Sequence, residues 1–354
     1  MVSVAYSPAK RNHYNPCFWT ALWNQQFFTD FCAGKTGHGR AREQLVFTLN
    51  VRSNKIFKTQ VQNLHYDKGL GVAEITAASM LDFCQRRFPD KAESLAKYLS
   101  EHPDSLYLDF EATLTGVEHL QGYDAMLRAA RLGGLESPAH KGFLACALVI
   151  HAMRSHELMT AILDETSPLG MDKWEYFWML KNAWSDRVAL ARAVMPLASG
   201  KWTFWRTPHH RFPLPDSPVM IDRDSVLAII SPRLLLKIDL TVSQPEDKWN
   251  VIEGIEAPAF DEFQRRATAN AFKDIIFSDA PALEQWQSMP DYLDRIRQLA
   301  TPESRAASVR LGAAKVLWAL NGFGRVPADF ESWAGNMFDR EEVQQSTERI
   351  RRTW

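Results

Sequence analysis

A chain of 354 residues that is 46% hydrophobic and 23% charged has the makeup of an ordinary globular protein, with enough apolar mass for one large core or two closely packed ones. Its formal net charge of −1 excludes the global basic field of a protein that coats nucleic acid and leaves room only for local patches. The longest apolar run, residues 143–153, falls far short of the roughly 20 residues of a membrane span, and no apolar leader opens the chain, so a cytoplasmic protein without a membrane partner is expected.

Cys17, Cys32, Cys84 and Cys146 are scattered with no C-x-x-C pair, which reads as free thiols. In chain order, His13 and Tyr14 stand just before Pro16, a residue suited to the first turn of a helix that carries Phe18, Leu22, Phe27 and Phe31. Unpaired N–H groups at such a start welcome an anion, while the plainer role for His13 is capping or packing. The Gly-rich stretch 33–42 lacks Walker spacing and reads as a loop. Residues 45–64 alternate about a Ser53-Asn54-Lys55 turn, which predicts a β-hairpin.

From about 75 to 195 the apolar period is helical, with helices expected at about 75–87, 90–101, 104–114, 117–132, 139–163 and 172–195. The 139–163 helix, apolar almost all round, should be the central one, and Arg154 would share a face with His151 and Leu158. Arg154 then either meets an anionic ligand or pairs with a neighbouring helix. Runs at 202–206, 218–221, 226–230 and 234–240 are strand-like. Asp216 sits between them in a proline-restricted turn. Helices are expected again at about 258–277, 289–300, 303–321 and 328–350. The fold class is therefore α+β, predominantly helical, with one small antiparallel sheet built from the 45–64 hairpin and the 201–240 strands. A main domain would cover 1–280, with a helical extension over 281–354 packed on it.

The order of these pieces resembles the bacterial family catalogued as domain of unknown function four-two-three-eight. His13-Tyr14-Asn15-Pro16 is similar to its opening His-Tyr-Val-Pro motif, residues 45–64 to its hairpin and Arg154-Ser155-His156 to its arginine step. Pro215-Asp216-Ser217-Pro218-Val219 is similar to its acidic turn, and Ser231-Pro232 and Asn270 fall where its later features stand. The chain departs from the pattern at Asn15, His156, Pro215 and Ser217. The resemblance implies a shared fold over about residues 10–280 and a shared site, and no reaction.

If the helix start at 16 and the turn at 216 meet, His13 as base, Asp216 as its orienter and Arg154 as anion holder would form a catalytic set suited to phosphodiester or other phosphate-ester hydrolysis, as in a nuclease-like effector. Tyr14, Arg206 and Asn270 are the candidate substrate-binding residues, and Lys201, Arg206 and Arg211 would draw in a nucleic acid or other polyanion. No cofactor and no metal site is assigned. Neighbouring His209 and His210 point to opposite faces of an extended chain, so one at most could add a metal ligand. The competing class is a non-catalytic ligand- or protein-binding module. In it the tryptophans, twelve in all, line a ligand pocket or a protein interface, where the plainer role is to fill a large core, and His13, Tyr14 and Asp216 form a structural hydrogen-bond knot. Exposure discriminates the two: a reachable pocket favours an enzyme, a dry knot favours structure.

Overall fold

The computed structural model describes residues 12–13, 15–36, 38–67, 72–101, 106–109, 121–153, 155, 172–177, 187–209, 211–222, 224–245 and 247–288. The first strand, β1 (Asn12–His13), leads into a four-residue helix α1 (Cys17–Thr20), a 3₁₀ turn (Ala21–Trp23) and helix α2 (Gln25–Cys32). Asn24 separates the last two because its side-chain oxygen caps the Phe27 N–H at 2.9 Å. Where the periodicity predicts one helix after Pro16, the chain therefore forms three short pieces, with Pro16 at the N-cap.

The hairpin is present as β2 (Leu45–Asn50) and β3 (Lys55–Gln60), turning at Asn54 with φ +50°. That left-handed conformation suits a short polar side chain in a hairpin turn. Strand β4 (Tyr66–Asp67) pairs antiparallel with β1, setting His13 opposite Tyr66. Strands β5 (Val72–Ile75) and β6 (Leu106–Asp109) also pair, around helices α3 (Ala77–Arg87) and α4 (Pro89–Glu101). The helix predicted at 104–114 is thus replaced at 106–109 by a strand. The short Leu106-Tyr107-Leu108-Asp109 stretch has no period long enough to choose between the two states, and pairing with β5 chooses.

Helices α5 (Gln121–Leu132), α6 (Pro138–Met153) and α7 (Arg187–Ser199) pack together, and residues 173–177 are also helical. As expected of a central helix, α6 buries Leu144, Ala145, Ala147, Leu148, Val149, Ile150 and His151. Its approach to α5 needs Gly122, where an added Cβ would lie 2.6 Å from the Phe143 carbonyl oxygen. Buried Lys141 reaches out of α6 to donate to the Pro245 and Lys248 carbonyls, both at 3.2 Å. Those bonds fix the helix to the segment that follows Ser243 and precedes Asn250.

The single small sheet expected from sequence is instead two sheets. Strands β7 (Gly200–Arg206), β8 (Leu214–Pro215), β9 (Val219–Ile221), β10 (Ser225–Ser231), β11 (Leu234–Ser243) and β12 (Asn250–Glu253) follow in order. Helix α8 (Ala257–Ala269), β13 (Asp274–Phe277) and helix α9 (Ala280–Gln287) complete the described chain. The five-stranded sheet runs β12-β7-β11-β10-β9, antiparallel except for the parallel β12–β7 pair. The four-stranded sheet runs β3-β2-β13-β8, so the hairpin joins β13 and reaches the 201–240 segment only through the two residues of β8. All seven residues of β10 are buried, which requires cover on both its faces.

The tryptophans that are described fill this core. Trp19, Trp23 and Trp202 are fully buried, and their indole N–H groups donate to the carbonyls of Ile230, Phe212 and Leu197 at 3.1, 2.7 and 2.7 Å. A buried indole N–H is stabilised by such a partner, although that of Trp286, also buried, has none among the described residues. Trp286 of α9 packs against Phe263 and Phe277 and so joins the segment around residue 281 to the main core. The rest of the expected extension, 289–354, lies outside the described residues, as do the helices expected there. The four cysteines are free thiols. No helix among the described residues is long and apolar enough to cross a membrane.

Candidate functional site

The helix start at Pro16 and the turn at Asp216 do meet. Asn15, buried at 1% exposure, donates its side-chain amide to the Asp216 carbonyl oxygen at 3.2 Å and lies 2.8 Å from His65 Nδ1. The amide is the donor in that second contact, so Nδ1 accepts and the ring proton sits on Nε2. Asn15 is one of the positions at which the chain departs from the family-like opening motif. It nonetheless ties the motif to the acidic turn.

Asp216 is wholly buried. Its Oδ1 accepts the Phe272 N–H at 2.8 Å, and its Oδ2 accepts the N–H groups of Lys273 and Asp274 at 2.6 and 3.2 Å. The Asp216 N–H in turn donates to the Asp274 carbonyl at 3.0 Å. These amides follow the C-cap of α8, where the chain leaves the helix and enters β13 at Asp274, so the carboxylate satisfies groups that the end of the helix leaves open. Asn50 at the end of β2 donates to Asp274 Oδ1 at 3.0 Å and carries the network to the hairpin.

This network corrects one expectation about secondary structure. The apolar pattern over 258–277 predicts a single helix, whereas α8 stops at Ala269, Asn270 caps it and β13 begins at Asp274. Asp216, far away in sequence, holds the intervening amides in a non-helical arrangement. Asn270 itself donates its side-chain amide to the Arg266 carbonyl at 2.8 Å.

The remaining candidates are dispersed. The His13 backbone lies in β1, while its side chain, all of Tyr14 and all of Arg154 lie outside the described residues. The four-residue α1 is too short to present a substantial helix dipole to an anion. Arg206 stands at the end of β7 on the surface, paired with Glu253 of β12, and its Nη1 reaches the Leu132 carbonyl at 3.4 Å. The pairing lowers the Glu253 carboxyl below its usual range. Gly133, at φ +76°, passes beneath this arginine, where an added Cβ would lie 2.3 Å from Arg206 Cδ. Lys201, His209 and Arg211 are exposed, and His210 lies outside the described residues.

His65 is the member of the cluster that sequence reading missed. It is 1% exposed and holds φ +51°, an uncommon conformation for a non-glycine residue. A signal was available. The His-Tyr step at 13–14 recurs at 65–66, and His13 of the first step stands opposite Tyr66 of the second in the β1–β4 pair. Ser217, 2% exposed, completes the cluster. Among the described residues, neither its hydroxyl nor the Asn15 side-chain oxygen has a hydrogen-bond partner.

No protein-family model, curated protein or solved structure matches the chain.

Proposed function

We propose that this protein acts by binding a partner rather than by catalysis, and that Asp216 and its neighbours form a structural knot fastening the N-terminal motif to the end of α8. The observation that carries this reading is the complete burial of Asp216, with both carboxylate oxygens accepting backbone N–H groups. A carboxylate that orients a catalytic base must have an oxygen turned toward that base, and a general acid or base must reach its substrate. Among the described residues, Asp216 is turned toward three backbone amides and is closed to solvent. Arg206, offered as a substrate contact, is engaged with Glu253 on the surface. Kinship with the four-two-three-eight family is part of this proposal and rests on the ordered series of motifs.

The test follows thermal unfolding of wild type, His13→Ala, Asp216→Asn and Asp216→Ala beside cleavage of labelled RNA and DNA, with and without added divalent metal. The expected result is no cleavage by wild type and a marked loss of stability in both Asp216 variants. Cleavage by wild type that is lost in a normally stable Asp216→Asn protein would overturn the reading and restore the phosphodiester hydrolase.

A further inference from the structure

The hairpin differs from the rest of the sheet in what it leaves uncovered. Strand β2 is paired on both sides, by β3 and β13, whereas β3 pairs with β2 alone among the described residues. Every second residue of such an edge directs its N–H and C=O groups outward. Lys55, Ile56, Phe57 and Lys58 are all exposed, Ile56 at 47% and Phe57 at 39%.

Strand alternation puts Lys55 and Phe57 on one face and Ile56 and Lys58 on the other. Each face of the edge therefore carries one exposed apolar group and one ammonium. On the second face Leu45 is also exposed, and Lys58 lies 5.2 Å from the Phe47 ring centre. Neither lysine forms an ion pair among the described residues, and residues 44–66 contain three cations, Arg52, Lys55 and Lys58, and no carboxylate. Lysines alone would only deter edge pairing. The two large apolar side chains between them are what a purely protective edge lacks.

A second exposed edge among the described residues, β12, is a weaker candidate. It is four residues long, and its Glu253 is already neutralised by Arg206.

We propose that β3 is a docking edge for an extended segment of a partner protein, which adds a strand to the four-stranded sheet with an acid-apolar-apolar-acid pattern against Lys55-Ile56-Phe57-Lys58. Residues directly opposite in a ladder share a face, so carboxylates three positions apart meet the two ammonium groups on their respective faces. The same rule disfavours a second copy of this chain, whose own β3 would bring two more ammonium groups and no carboxylate. This inference rests on the binding reading above and names its surface and partner.

The experiment titrates the full chain with a capped Thr-Glu-Val-Val-Glu-Thr peptide, its Thr-Lys-Val-Val-Lys-Thr counterpart, and two forms of the acidic peptide N-methylated at alternate backbone nitrogens in either phase. The acidic peptide is expected to bind wild type and to bind Lys55→Glu/Lys58→Glu about tenfold more weakly. That variant should prefer the basic peptide, and methylation in one phase alone should abolish binding. Equal binding to both proteins, indifference to methylation in both phases, or no binding at millimolar peptide would each overturn the inference. So would a wild-type dimer in sedimentation that the double charge reversal dissolves, since the occupant would then be a second copy. Absence of peptide binding without nucleic-acid cleavage removes this inference alone, whereas cleavage removes the reading on which it rests.

Discussion

The Asp216 knot and the β3 edge belong to one four-stranded sheet and handle polar groups in opposite ways. At the knot a buried carboxylate is turned inward onto three backbone amides, while Asn15, just past β1, holds the Asp216 carbonyl and Asn50, at the end of β2, holds Asp274. At the edge the lysines stand in solvent beside exposed Ile56 and Phe57. A charge that is engaged internally contributes stability and is withheld from ligands, and one left in water contributes little stability and remains available. Polar residues therefore have to be sorted by what they touch before any of them is assigned chemistry.

Substitutions can break this contrast, beginning with the largest effect. Asp216→Ala strands three N–H groups, two of them on buried residues, and is expected to cost about 3–4 kcal/mol in urea unfolding. A loss under 1 kcal/mol would place the carboxylate among dispensable groups. Lys141 extends the contrast to cations. It is 0% exposed and donates to two carbonyls, so Lys141→Ala should cost about 2–3 kcal/mol, whereas Lys55→Ala should leave stability unchanged by the same measurement. Asn15→Ala removes both links to His65 and the Asp216 carbonyl and is expected to cost about 1–2 kcal/mol.

Lys173 stands between the two extremes. Burial lowers its ammonium from 10.5 to about 8. The folded chain therefore binds fewer protons than the unfolded chain between those values, so this residue makes stability rise with pH from about 8 to 10.5. Lys173→Met should remove that rise and add about 1 kcal/mol at pH 7, allowing for partial solvent screening. Unfolding followed across pH checks both the sign and the window. The smallest effect is expected at the edge itself, where Ile56→Ser and Phe57→Ser should each change stability by less than about 0.5 kcal/mol.

Sequence reading succeeded where the determinants are local. The β2–β3 hairpin is written in its alternation and in Asn54, and the strands containing 202–206, 226–230 and 234–240 are written in runs of β-branched and aromatic residues. It failed where a distant residue decides. The strand at Leu106–Asp109 depends on β5, and the end of α8 depends on Asp216. The division into two sheets depends on β13 claiming the hairpin. Asp216 was legible as a constrained acidic turn, but the groups it meets lie past residue 270, and no local pattern distinguishes a carboxylate aimed at backbone amides from one aimed at a substrate. His65 was hidden because its significance lies in pairing with the opening motif and in a left-handed backbone that nothing nearby requires.

The most direct test of the central claim is native-state hydrogen exchange at the amides of Phe272, Lys273 and Asp274 in wild type and Asp216→Asn. If the carboxylate is a dry structural acceptor, these amides exchange only through opening events near the global unfolding free energy, and in Asp216→Asn they exchange faster than the amides of β10 do. Rapid exchange in wild type, little changed by the substitution, would mean that the carboxylate is open to solvent and free for chemistry, and would contradict the account.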